Sequence, residues 1–235
     1  LFDYTSLANM LQPCAAHSPT VALAPLLATI PGVSAQQRCA ALAINGDVTG
    51  IDFLSQSNDA LARLRTAGWE VESDLLHASH WGLQATPGVA VTYANAYSRA
   101  SVVDNLCGFS FATTTNSTGT GVPAPNVISP MLTVFGNGNG VPPTNGINLI
   151  YNDAIGGPID HRAADNNFAF LGAQCLRQLW TVPSAALQTG VNEVRVTGNL
   201  RAKPTIIVHG RSDALVPVNH TSRPYFGTNK IVEGT

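Results

Sequence analysis

The residue with the strongest chemical context is Asp213, in the run Thr205-Ile-Ile-Val-His209-Gly-Arg-Ser-Asp213-Ala-Leu-Val-Pro217. The short β-branched apolar stretch from Thr205 to Val208, bounded by Pro204 and Gly210, predicts a buried parallel strand. Asp213 would then lie just past the C-terminal end of that strand, where open α/β sheets collect ligands and catalytic groups. A carboxylate there can accept the Nδ1–H of an imidazole. It fixes the tautomer and stabilises the imidazolium that forms when the histidine activates a nucleophile. The competing use of an aspartate after a strand is local, as an N-cap or in an Asx-turn. The strand-to-loop context favours the chemical use.

A nucleophile is harder to place. No Gly-x-Ser-x-Gly occurs, and the nearest run is Gly108-Phe-Ser110-Phe-Ala112. Thr113-Thr-Thr-Asn-Ser-Thr-Gly follows it, a poor helix start, so Ser110 lacks the strand–turn–helix context of a nucleophile elbow. His220 comes only seven residues after Asp213, and His209 precedes the turn glycine. Both read as hydrogen-bonded polar histidines rather than as the base. His77 and His80 are three apart on an expected helix without a third ligand, and no Cys/His spacing fits zinc. No metal site is expected. Asp160-His161-Arg162 follows a Gly-Gly-Pro loop and could line a site, but its spacing specifies no role. Trp69, Trp81, Tyr93, Tyr97 and Phe109 could line an apolar pocket, although simple core is the commoner use of such residues. Asn116-Ser-Thr118 and Asn219-His-Thr221 fit the glycosylation sequon and are set aside.

The elements around these residues read as mostly helical. Phe2, Leu7, Met10 and Leu11 recur at helical spacing, after which Pro13, Pro19, Pro25 and Pro31 divide the segment. Gln36 to Ile44 predicts a further helical turn or two, closed by Asn45-Gly46. The clearest helix has Ser57-Asn58-Asp59 as its expected N-cap, a stripe of Leu61, Leu64 and Ala67, and Gly68 at its C-terminus. Residues 71–81 continue helically, and residues 90–103 mix helical with alternating spacing. Phe135 to Gly146 is a long turn-rich loop, of the kind that is usually functional or mobile. Phe168, Leu171, Cys175, Leu176 and Leu179 share one face of a helix over 163–181, and residues 191–196 read as a short strand or a helix end.

Composition limits the function. Charged residues make up 11% of the 235 residues and the net charge is −2, with twelve scattered basic residues. Phosphate neutralisation, and with it nucleic-acid binding, is therefore not expected. No apolar run approaches the roughly 18 residues of a membrane span. Apolar residues at 45% can fill a sizeable core. Cys14 and Cys39 bracket a short Pro-containing segment and could bridge in an oxidising compartment. Otherwise Cys14, Cys39, Cys107 and Cys175 read as buried free thiols. The absence of an initiator Met at Leu1 and of a closing helix before Thr235 favours a fragment over a processed chain.

The apolar strand, His-Gly turn, Asp and Val-Pro resemble the acid loop of α/β-hydrolases, whose chain order is nucleophile, acid, histidine. The longer run from Lys203 to Tyr225 is similar to the corresponding segment of D-(−)-3-hydroxybutyrate oligomer hydrolases. So are the opening residues Leu1 to Cys14 and the stretch from Gly68-Trp-Glu to His80-Trp-Gly. The resemblance implies an exported bacterial serine esterase that cleaves short 3-hydroxybutyrate oligomers to monomer, downstream of polyester depolymerisation. It implies no metal or organic cofactor and a small-molecule ester as partner. It places the charge-relay acid at Asp213, with the serine before Leu1 and the histidine after Thr235. The expected fold class is α/β, a partial α/β-hydrolase fold with a largely helical, loop-rich insertion or lid. Residues 1–39 read as a helical segment of the hydrolase domain and 40–160 as the insertion. Residues 161–235 read as the return to the core with the acid-bearing strand. Two other readings stay open: a feruloyl-esterase or tannase relative of the same fold, and a non-catalytic lid or binding module.

Overall fold

Helix α1 (Phe2–Ala15) buries twelve of its fourteen residues, which makes it the axis of the helical body in this computed structural model. The structure describes residues 1–21, 24–101, 104–113, 147–153 and 157–234. The loop Phe135 to Gly146 and the sequon at Asn116 lie outside the described residues. Around α1 pack α2 (Gly32–Ile44), α3 (Phe53–Thr66), α5 (Ala85–Ser98) and α6 (Phe170–Thr181). Helix α4 (His77–Gly82) packs on α1, and α7 (Ala185–Glu193) lies on α5. A final helix, α8 (Ser222–Glu233), follows the Asp213 loop, where the sequence predicts no closing helix before Thr235. Strands β1 (Phe109–Thr113), β2 (Ile147–Asp153) and β3 (Gly157–Asp160) form an antiparallel sheet in the order β1-β2-β3. Phe109 is opposite Tyr151, and Ile150 is opposite Asp160. Mostly helix with one small sheet is compatible with a piece of an α/β protein.

α1 continues through Pro13, where the sequence predicts a break. Proline has no N–H, so the carbonyl of Asn9 loses its helical donor. Two long side chains replace it: Arg38 Nη1 at 3.2 Å and Trp81 Nε1 at 3.2 Å. Arg38 is fully buried and also donates to the carbonyls of Met10, Asn167 and Phe168. Burial lowers its guanidinium to about 9, against the opposing charge of Asp165. This one side chain ties α1, α2 and the turn before α6 together.

Other boundaries also move. α3 starts four residues before the expected cap at Ser57. Asp52 Oδ1 accepts the Ser55 N–H at 2.7 Å, and Ser55 Oγ accepts the Asp52 N–H, a capping box. The mixed spacing of residues 90–103 resolves as helix α5 up to Ser98. The residues after Glu193 are a helix end and not a strand. On α6 the buried face is Phe170, Ala173 and Leu176, while Leu171 is 72% exposed and leaves the expected stripe. Cys14–Cys39 and Cys107–Cys175 both form disulfides, with Cα atoms 5.1 and 5.5 Å apart, so the four cysteines are not free thiols. Helix packing brings each pair together. For Cys107 and Cys175, 68 residues apart, no local spacing signals it.

The largest correction concerns residues 205–208. No strand forms there, and none of the described strands pairs with it. The segment is extended and open to solvent, with Ile206 91% and Val208 90% exposed. A buried parallel strand needs neighbours on both sides for its backbone hydrogen bonds and for its two faces. The one sheet of the described residues is antiparallel and built from other segments.

One core cluster draws on all three stretches of the chain, with Tyr4, Leu11, Leu42, Leu64, Trp69, Phe170 and Ala214 among its buried members. No helix among the described residues is long and apolar enough to cross a membrane.

Candidate acid loop and its surroundings

Asp213 sits in a tight turn after the extended segment. Its backbone N–H meets the Gly210 carbonyl at 3.3 Å. Its Oδ1 accepts the N–H groups of Leu215 at 3.1 Å and Val216 at 2.8 Å, which is an Asx-turn. Oδ2 lies 3.6 Å from His209 Nε2, and the side chain is 39% exposed. One oxygen therefore shapes the loop while the other is held near the surface. A carboxylate arranged in this way can still accept an imidazole N–H. The local and the chemical uses of Asp213 are compatible in one geometry.

The loop is anchored from below. Ala214, Pro217 and Val218 are buried, and Ala214 joins the core around Tyr4 and Trp69. His220 packs against Tyr4, with ring centroids 4.4 Å apart and the planes tilted by 30°, and donates from Nε2 to the Ala67 carbonyl at 2.5 Å. His209 Nε2 donates to the Val216 carbonyl at 2.9 Å. Both histidines are engaged with backbone, the arrangement the sequence suggests for them. Asn219 Nδ2 reaches the Gly68 carbonyl at 2.8 Å and Glu70 Oε1 at 3.0 Å. This approach requires the glycine. Gly68 has φ +103°, and a Cβ there would lie 2.8 Å from His220 Nε2.

Glu70 collects charge from both sides of the loop. Arg223 donates to Oε1, Arg211 donates to Oε2 at 3.2 Å, and Arg211 also meets Glu72 at 2.9 Å. The Arg223 and Arg211 hydrogen bonds hold the Glu70 carboxyl below the usual range. Sequence reasoning did not single out Glu70 for any role. Its partners are about 150 residues away, beyond any local pattern.

The remaining candidates fall elsewhere. Ser110 is buried within β1, opposite Ile150, and not at an elbow. His77 is fully buried against Trp69, ring to ring at 4.0 Å, and neither of its nitrogens has a hydrogen-bond partner. Burial, helped by the charges of Arg65 and His80, lowers it to about 3. Asp74 receives Trp69 Nε1 at 3.0 Å and Arg65. His80 turns away and meets the Leu76 carbonyl at 3.0 Å, so the i,i+3 pair does not converge. His161 is buried beside Trp81 and lowered to about 3, chiefly by burial.

Asp160 holds Arg162 at 3.0 and 2.8 Å, and Asn148 Nδ2 at 3.1 Å. Burial alone would raise its carboxyl, but the Arg162 hydrogen bonds outweigh it and keep Asp160 at about 2. Arg162 also reaches the Gly82 carbonyl at 2.9 Å. This triplet ties β3 to α4. Trp69, Trp81 and Phe109 are core, and Tyr93 and Tyr97 pack beside it. Among the described residues no group of three His, Cys, Asp or Glu could hold a metal ion.

Comparison with known proteins extends over the whole chain. The family model for the 3HB-oligomer hydrolase matches residues 1–235. A D-(−)-3-hydroxybutyrate oligomer hydrolase of Burkholderia pseudomallei (strain 668) is 57% identical over 238 residues, covering all of this chain. Those of Burkholderia mallei (strain SAVP1) and Burkholderia thailandensis are 57% and 56% identical over the same span. This chain spans 34% of the length of each of these relatives. No solved structure matches. With a family model matching every residue and relatives of this identity along its full length, the chain belongs to the 3HB-oligomer hydrolase family.

Proposed function

We propose that this chain is part of a bacterial serine esterase that hydrolyses short 3-hydroxybutyrate oligomers to monomer, and that Asp213 is its charge-relay acid. The observation that carries the reading is the full-length match to relatives bearing that name. The Asx-turn of Asp213, which commits Oδ1 and leaves Oδ2 near the surface, supports the residue assignment. The serine and the histidine come from parts of the protein outside this chain. The serine Oγ attacks the ester carbonyl as the histidine takes its proton. The histidine returns that proton to the departing 3-hydroxyl oxygen, and water repeats the sequence on the acyl-enzyme. Asp213 accepts the Nδ1–H throughout and remains a carboxylate. The chemistry requires no cofactor.

The parent fold is an α/β-hydrolase. Its sheet supplies the neighbours of residues 205–208, and the exposed Ile206 and Val208 are what such a strand would bury. Residues 1–39, 40–160 and 161–235 correspond to a hydrolase-domain segment, a lid-like insertion and the return to the core. The protein is exported to an oxidising compartment, a reading that the two disulfides support. In the full-length protein, Asp213→Asn is expected to lower kcat on hydroxybutyrate trimer by roughly 10⁴-fold, through loss of the correct tautomer. Near-normal turnover by a folded variant overturns the assignment.

A further inference from the structure

We infer that Glu70 is a positioning residue for the acid loop: its carboxylate clamps Arg211 on one side of Asp213 and Asn219 and Arg223 on the other. The inference rests on the reading of Asp213 as the acid. Both oxygens of Glu70 accept hydrogen bonds within the clamp, Oε1 from Arg223 and Asn219 and Oε2 from Arg211, so the carboxylate faces the loop's own side chains. Its side chain is only 14% exposed, and the three partners span the loop from two residues before Asp213 to ten after it. The buried anchors Ala214, Pro217 and Val218 fix the depth of the loop. They all follow Asp213; on the Gly210–Ser212 side the loop is tied only to itself, by the Asp213 N–H to the Gly210 carbonyl and by His209 to the Val216 carbonyl. Arg211 is the side chain that ties that side to the body, through Glu70 and Glu72. Glu70 itself is placed by the turn at Gly68, whose carbonyl also accepts from Asn219. The orientation of the second carboxylate oxygen of Asp213 is thus set from the end of α3.

Because Glu72 still holds Arg211 when Glu70 is removed, the effect is graded rather than total. The test is a double-mutant cycle in the full-length protein with Glu70→Ala, Asp213→Asn and the pair, assayed on hydroxybutyrate trimer and on an activated p-nitrophenyl ester. Glu70→Ala is expected to lower kcat roughly 10- to 100-fold, the scale of a displaced catalytic group, with KM within about twofold. In the Asp213→Asn background the same change is expected to cost less than about twofold, because Glu70 acts through Asp213. If Glu70→Ala does not fold, as judged by circular dichroism, Glu70→Gln carries the same comparison. It keeps an acceptor for Asn219 and Arg223 and should fall between wild type and Ala. Wild-type kcat in a folded Glu70 variant overturns the inference. So does a loss of equal size in both backgrounds, which marks a general structural effect. An active Asp213→Asn single variant instead overturns the functional reading itself, and with it the basis for assigning Glu70 any catalytic bearing.

Discussion

Acid should destabilise this chain through two buried histidines. His77 and His161 are 0% and 1% exposed and each is packed on a tryptophan; Asp74 lies 3.9 Å from His77 Nε2 and Asp160 3.7 Å from His161 Nδ1, yet burial outweighs both carboxylates. Burial lowers both from the ordinary 6.5 to about 3. The sign follows from proton counting. Between pH 6.5 and about 3 the unfolded chain takes up two protons that the folded chain refuses, so stability falls as pH falls, by about 1.4 kcal/mol per pH unit for each histidine. From pH 7.5 to 5.0 each loses about 2 kcal/mol, and the pair about 4 kcal/mol. That is a large share of the roughly 5–15 kcal/mol that holds a domain folded. His220, also lowered by burial, acts in the same direction. Asp160, held at about 2, contributes stability that is present above the unfolded carboxylate value of about 3.8 and lost only below it, outside this window.

Urea unfolding of the 235-residue chain followed by tryptophan fluorescence at several pH values measures the slope. Trp69 and Trp81 report locally, because each touches one of the two histidines. His77→Phe and His161→Phe should each remove a similar share of the slope, somewhat under half because His220 contributes the remainder. Phenylalanine keeps a flat ring against the tryptophan and cannot titrate. Any overpacking cost, about 1–3 kcal/mol, is the same at every pH and leaves the slope untouched. An unfolding free energy flat between pH 7.5 and 5.0, or a slope that both substitutions leave unchanged, refutes the reasoning.

Two further outcomes are expected. Gly190→Ala should destabilise by at least about 1–3 kcal/mol in urea melts, because the new Cβ would lie 2.2 Å from the Tyr97 carbonyl oxygen and force α5 and α7 apart. Cys107→Ala with Cys175→Ala should cost about 4 kcal/mol in the same assay, from opening a covalent loop of 68 residues, and more than the roughly 3.5 kcal/mol expected for the 25-residue loop of Cys14–Cys39.

The sequence discloses what depends on local spacing. The stripe of Leu61 and Leu64 and the turn at Gly68 are readable because helix periodicity and a left-handed glycine act within a few residues. Pro13 misleads, because its helix-breaking penalty is offset by Arg38 and Trp81, which lie 29 and 72 residues from the Asn9 carbonyl they satisfy. The bridge between Cys107 and Cys175 and the Glu70 clamp are hidden for the same reason. Each is made by α1-centred packing that brings distant residues together, and no period of 2 or 3.6 encodes it. The aspartate at 213 is conspicuous, but the residue proposed to aim it is not.

The segment 205–208 shows how a correct pattern can produce no strand. Its β-branched run fits a buried strand, yet Ile206 and Val208 lie open to water, each forgoing roughly 1.5–3 kcal/mol of burial. Such exposure is expected when the neighbours of a strand belong to another part of the protein. The turn that follows does not share this dependence. The contacts of Asp213 with Leu215 and Val216 are local, and Ala214, Pro217, Val218 and Glu70 dock the loop on helices that this chain itself contains. The loop around Asp213 is therefore held from the helical side. On the proposed α/β-hydrolase reading, a substitution in 205–208 should weaken assembly with the rest of the protein, whereas one at Gly68 or Glu70 should disturb the Asp213 loop within this chain alone.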